Sequence, residues 1–156
     1  MVAKKLSNRS DIVLSNLVAK AVDETTKELY EELLRIIDKK IYSSDPEWYT
    51  RTYQFRDSFE MGEVKQFPNY VEQEIFQNLS TMVWNNVMFQ HGNCYEPLQG
   101  YELSNILNYG SSNTAFGFPP REATNFWDEF EQYASKNVGR IFKRKLKMGG
   151  VSIEVY

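Results

Sequence analysis

Ser10 to Tyr42 reads SDIVLSNLVAKAVDETTKELYEELLRIIDKKIY, and this stretch decides the fold class. Leu14, Val18, Val22, Leu29, Leu33, Ile37 and Ile41 recur at spacings of four and seven, with charges on most remaining positions. Apolar residues at that interval share one side of a helix, so the stretch predicts a long amphipathic helix. Ser10 is suited to cap its start. Ser43-Ser44-Asp45-Pro46 stops it, because proline disfavours helical backbone in the residue before it. Val22-Asp23-Glu24-Thr25-Thr26 is polar enough to divide the segment, giving either a short and a longer helix or one long bent helix.

A second helix is expected near the C-terminus, where Phe126, Phe130, Ala134, Val138, Phe142 and Leu146 fall four apart, supported by Trp127 and Ile141. Asp128, Glu129 and Glu131 open it, while Arg140, Lys143, Arg144, Lys145 and Lys147 close it, the charge order that suits the helix dipole. Gly149-Gly150 ends it, and the alternation of Val151, Ile153 and Val155 with Ser152 and Glu154 predicts a short terminal strand.

Between the helices, Glu47 to Met61 carries Trp48, Tyr49, Tyr53, Phe55 and Phe59, with approximate alternation from Tyr53 that reads as a strand or a turn and strand. Val71 to Gln90 mixes apolar and polar residues without a helical stripe and reads as strands. His91 to Pro120 is rich in glycine and proline and reads as a long loop, broken by a short helix around Leu103 to Tyr109. The expected fold is therefore α+β: a long N-terminal helix, a central and mainly antiparallel sheet, and a long C-terminal amphipathic helix followed by a short strand. No repeat, low-complexity tract or linker divides the chain, so residues 1–156 read as a single domain, with residues 1–9 expected to be flexible.

The 156 residues are 42% hydrophobic and 25% charged, which places the chain among globular proteins and away from disorder. Aromatic residues make up 15%, enough large apolar area for a core or an interface without disulfides. The single cysteine, Cys94, excludes an internal disulfide framework and any zinc site built from several cysteines. A net charge of −3 gives no global attraction to nucleic acid or to an anionic membrane surface. No apolar run approaches the ~20 residues needed to span a bilayer, and the basic start Met1 to Arg9 is not followed by the apolar core of a signal peptide.

Few residues suggest catalysis. His91 and Cys94 are three apart, but a zinc site needs four ligands and a Cys–His nucleophile needs a third orienting group. The pairs Glu60 with Glu63 and Glu72 with Glu74 could act as acid and base, the latter if both lie on one strand face, although a solvated surface explains them as well. No nucleotide-binding glycine pattern or nucleophile elbow is present. No catalytic residue, cofactor or metal is assigned. The Arg140 to Lys147 cluster, with five cations in eight positions, is a candidate basic patch for nucleic acid. Dipole complementarity would also place those charges there.

The order of features resembles a known family. After the long helix comes Tyr49-Thr50-Arg51-Thr52-Tyr53-Gln54-Phe55-Arg56-Asp57-Ser58-Phe59. Then follow Ile106-Leu107-Asn108-Tyr109-Gly110, a proline-bearing loop, a helix opening Thr124-Asn125-Phe126-Trp127-Asp128-Glu129-Phe130, and a terminal glycine and strand. This layout, over about Ser10 to Val155, resembles the head–tail joining and tail-completion (neck) proteins of long-tailed bacteriophages and prophages. Phe67 to Phe89 and the Cys94 to Gly117 loop depart from it. The resemblance implies a non-enzymatic virion protein, made in the host cytoplasm. It implies a homo-oligomeric ring between the portal–adaptor complex and the tail tube or its terminator, lining the path of double-stranded DNA without specific binding. Trp48, Tyr49, Arg51, Tyr53, Arg56 and Tyr109 are the candidate partner contacts. The alternative is a small nucleic-acid-binding or host-takeover phage protein using the basic C-terminal helix.

Overall fold

One uninterrupted helix, α1 (Arg9–Ile41), occupies the N-terminal amphipathic stretch in the computed structural model, which describes residues 9–43, 53–82, 100–110 and 122–151. Val22 to Thr26 does not divide it. The Thr25 hydroxyl donates to the Ala21 carbonyl at 2.6 Å, so a buried polar side chain is satisfied inside the helix itself. Ion pairs four residues apart, Lys20 with Glu24 and Asp23 with Lys27, brace the same turns.

The elements that follow are short apart from the last two helices. They are α2 (Gln54–Asp57), β1 (Phe59–Met61), β2 (Lys65–Gln66), β3 (Val71–Glu72), β4 (Ile75–Gln77), a 3₁₀ turn (Leu79–Thr81), α3 (Gly100–Tyr109) and a second long helix, α4 (Phe126–Met148). β2 pairs antiparallel with β3, and β1 pairs with β4. The second ribbon is also antiparallel, since the Asn78 N–H donates to the Ser58 carbonyl and the Gly62 N–H to the Glu74 carbonyl. The protein is therefore mixed α+β and mostly helical, with a small antiparallel sheet component.

One local expectation is resolved and another corrected. Of the two readings of the segment from Tyr53, the turn and strand is the one observed: a left-handed residue and one helical turn lead into β1. Phe55 and Phe59 are four apart and both buried, a helical interval that also resembles alternation over so short a segment. The expected face of α4 fails. A strict four-residue repeat rotates by about 40° per step on a helix of 3.6 residues per turn, so Phe126 to Leu146 cannot share one side. Val138 is exposed and Ile141 is buried in its stead. The expected terminal strand falls largely on residues 152–156 and the strand reading of 83–90 on residues outside the described set, as does most of the 91–120 loop.

The chain packs into two compact units. The first comprises Met1–Glu31, Met61–Ile75 and Ala134–Tyr156. Its interior takes Ala19, Ala21, Thr25, Thr26 and Leu29 from α1 and Ile141 and Leu146 from α4. Gln73 ties it together, its amide donating to Asp23 Oδ1 at 3.2 Å and to the Gly62 carbonyl at 2.9 Å. The C-terminus of α4 is closed by a Schellman motif, in which the Val151 N–H donates to the Leu146 carbonyl and the Gly150 N–H to that of Lys147. Gly150 has φ 85°, a left-handed conformation that glycine adopts without a Cβ penalty.

The second unit comprises Glu32–Glu60 and Phe76–Tyr133. Leu33, Ile36 and Ile37 from α1 are fully buried in it, with Phe55, Phe59, Leu107, Phe126 and Phe130. Phe55, Phe59 and Phe126 meet pairwise edge to face, with ring centroids 5.4, 5.6 and 6.1 Å apart, the geometry that aligns positive ring edges with negative faces. A chain of polar groups runs beside them. The Ser104 hydroxyl donates to Gln77 Oε1, Gln77 Nε2 donates to the Ser58 hydroxyl, and that hydroxyl donates to the Phe55 carbonyl. Asn108 joins the end of α3 to the start of α4: its side-chain oxygen accepts from the Trp127 N–H at 3.0 Å, and its carbonyl accepts from the Asn125 N–H at 2.9 Å.

Candidate functional site

In the first unit, β2 and β3 form a hairpin whose tip is Phe67-Pro68-Asn69-Tyr70. The Phe67 N–H donates to the Tyr70 carbonyl at 2.9 Å, leaving Pro68 and Asn69 as the turn. The register places Lys65 opposite Glu72 and Gln66 opposite Val71. Side chains alternate across a ribbon, so Lys65, Phe67, Tyr70 and Glu72 share one face and Gln66 and Val71 the other. Gln66 accepts from the α1 residue Ser15 at 3.1 Å, which identifies the second face as the one toward α1. On the outward face the Phe67 and Tyr70 rings stack at 4.5 Å and 17°, yet remain 40% and 55% exposed. Two neighbouring large apolar side chains held outward on a hydrogen-bonded ribbon form a contact surface with little ordering left to do.

In the second unit, Asp38, Tyr42, Tyr53, Arg56 and Asp57 line an open depression of about 600 Å³. Tyr53 sits in the left-handed region at φ 56°, a conformation costing ~1–3 kcal/mol for a residue with a side chain. Its ring stacks on Tyr42 at 4.8 Å. Arg56 Nε donates to Asp38 Oδ1 at 2.8 Å, with the Asp57 carboxylate 3.7 Å from the same guanidinium. The sequence-predicted contacts Tyr53 and Arg56 thus meet in one place. Tyr109, at the end of α3, is 65% exposed beside the buried Leu107 and Asn108. Trp48, Tyr49 and Arg51 lie outside the described residues.

The basic cluster of α4 separates by helix face. Arg144 Nη2 donates to both oxygens of Glu28 at 2.6 and 2.5 Å, and Lys145 Nζ lies 3.3 Å from the same carboxylate. The Arg144 guanidinium foremost, then Lys145, holds the Glu28 carboxyl below its usual range against the opposing effect of burial. Arg140 bonds Asn137 on its own helix, and Lys143 and Lys147 are exposed.

A carboxylate with a depressed folded-state pKa contributes stability that is present above its unfolded pKa and lost as pH falls through the folded value. Glu28→Gln is therefore expected to flatten the acid limb of the stability–pH curve below about pH 4.5. Because these groups remain in contact with water, the loss at neutral pH should stay at or under about 1 kcal/mol. Urea melts of both proteins from pH 7 to pH 3 check this. Parallel curves would mean the pair contributes nothing.

No family model, curated protein or solved structure matches the chain.

The paired carboxylates considered from sequence lie on or beside the strands. Glu72 lies in β3 and Glu74 beyond it, both exposed, with Glu74 3.5 Å from Lys65. Glu60 accepts from the Asn78 amide at 2.9 Å, and Glu63 is exposed. His91 and Cys94 lie outside the described residues. Among the described residues no helix is long and apolar enough to cross a membrane. The hairpin pair Phe67 and Tyr70 was not among the sequence candidates. Its signal was present in Pro68-Asn69, a turn-forming dipeptide between two short segments of strand character.

Proposed function

We propose that this chain is a non-enzymatic structural component of a bacteriophage neck. In this reading it forms a homo-oligomeric ring that joins the portal–adaptor complex to the tail tube or its terminator and surrounds the DNA path in the virion. The observation that supports it best is the outward-facing Phe67–Tyr70 stack, an aromatic contact surface on a braced hairpin. A ring subunit needs two different surfaces that pair head to tail, and aromatic residues are enriched at the centres of such interfaces. The Tyr42–Tyr53 depression and exposed Tyr109 add aromatic surface in the second unit. The order of sequence features over about Ser10 to Val155, apart from Phe67 to Phe89 and the Cys94 to Gly117 loop, resembles that of neck proteins and supplies the biological setting.

The test is sizing and native mass spectrometry of the wild type and of Phe67→Ser/Tyr70→Ser, alone and mixed with the adaptor and tail-tube proteins of the same phage. The wild type is expected to assemble into a closed ring or a stable complex in the mixtures. The double variant should stay monomeric with its stability changed by less than about 1 kcal/mol, since both rings already face water. Wild-type protein that remains monomeric in every mixture would end the neck reading.

A further inference from the structure

We propose that the exposed basic ridge of α4, formed by Lys136, Arg140, Lys143 and Lys147, is a sequence-independent binding site for nucleic-acid phosphates. At about 100° per residue these four side chains fall within an arc of about 60°, and at about 1.5 Å rise they extend over roughly 16 Å. All four are exposed. Arg144 and Lys145 leave this side of the helix for Glu28, and among the described residues the ion pairs of α4 in this unit are made by those two cations. The proposed ridge shares Arg140, Lys143 and Lys147 with the sequence cluster, leaves out Arg144 and Lys145 because both pair with Glu28, and includes Lys136.

The arrangement fits a phosphate backbone better than other anions. Cations three or four apart on a helix place neighbouring Cβ atoms about 5–6 Å apart in single file, comparable to the separation of successive phosphates along a strand. Three of the four are lysines, which act as point charges without the planar fork that reads bases. A Cβ added at Gly139, on the same side, would meet nothing within 4 Å, so the ridge lies open to an extended ligand. A lipid surface would need an apolar stripe beside the cations, whereas Ile141 and Leu146 are buried and the exposed Val138 and Met148 lie about 170° and 110° around the helix from the middle of the ridge. The net charge of −3 provides no long-range attraction, so binding should be short-range, weak and strongly dependent on salt. The ridge binds phosphates whether or not the neck reading holds; in a neck, the ligand is the passing DNA.

The experiment is fluorescence anisotropy of the full chain with a labelled random-sequence DNA duplex across a salt series. The wild type is expected to bind at low salt with a slope of log affinity against log salt of about −2.7 to −3.6, corresponding to three or four phosphates. Lys143→Gln/Lys147→Gln should make that slope shallower by about 1.8. The quadruple Gln variant should lose affinity at least about tenfold at the lowest salt while keeping its helical circular dichroism. Lys20→Gln/Lys27→Gln removes the same charge as the double variant from α1 and should leave binding within about twofold. The proposal is overturned if the wild type fails to bind at low salt or if the ridge variants bind like the wild type. It is also overturned if polyglutamate or anionic vesicles bind as tightly as the duplex, which would assign the ridge to an acidic protein or a lipid surface.

Discussion

Phe126→Ala is expected to lower the unfolding free energy by about 3–5 kcal/mol, the range for removing a fully buried aromatic ring. Phe126 is 2% exposed and opens α4 at the centre of the second unit. Its ring meets Phe55 at 5.6 Å and 85°, Phe59 at 6.1 Å and 84°, and Trp127 at 6.3 Å and 79°. The substitution therefore removes apolar area and three oriented ring contacts, each worth ~0.5–1.5 kcal/mol beyond burial. Rigid neighbouring rings are poorly placed to collapse into the space left behind. Phe126→Leu keeps most of the volume and should cost much less. Urea denaturation gives both values, with near-ultraviolet circular dichroism reporting the ring packing. A loss under about 1 kcal/mol for the alanine variant would show that the aromatic cluster does not hold this unit together.

The second large effect is expected at Asn108, which is 4% exposed and whose side-chain oxygen caps a helix other than its own. Asn125 precedes α4 in a left-handed conformation at φ 49°, and the Trp127 N–H in the first turn finds its acceptor on Asn108. Asn108→Leu removes that acceptor at similar size and leaves the donor unsatisfied in a partly buried place, at a cost of about 2–3 kcal/mol from the lost cap and the orphaned group together. Asn108→Asp keeps an acceptor and faces the positive end of the α4 dipole, so at neutral pH it should retain more stability than the leucine variant. Thermal and urea melts of the three proteins decide the matter. Equal losses for Leu and Asp would mean that Asn108 acts through its shape and not through the bond to Trp127.

The two long helices were legible because their signals are local and repeated. Apolar spacing in Ser10 to Tyr42, acids before bases from Asp128 to Lys147, and the Gly149-Gly150 stop all act within a few residues of one another. A short segment is less legible, because it has too few positions to show its period. Tyr53 to Phe59 holds a single helical turn and three aromatic residues, and seven positions cannot separate a period of four from one of two. Hydrophobicity is also an incomplete guide to burial. Thr25 and Thr26 are interior, and the Thr25 hydroxyl bonds back to its own helix, while Leu14 faces water. Of the candidate contacts, Tyr53 and Arg56 converge on one depression, whereas Phe67 and Tyr70 became visible only through the hairpin register.

The sequence by itself determined that the chain is α+β, where its long helices lie and how α4 ends, since each follows from interactions between near neighbours along the backbone. The tertiary structure alone decided which faces are buried, which cations are neutralised and which aromatics face outward. Glu28 meets Arg144 across 116 positions, and Asn108 meets Trp127 across 19. Charge pairing and burial depend on distance through space, and no periodicity of the chain encodes which remote residue will arrive there.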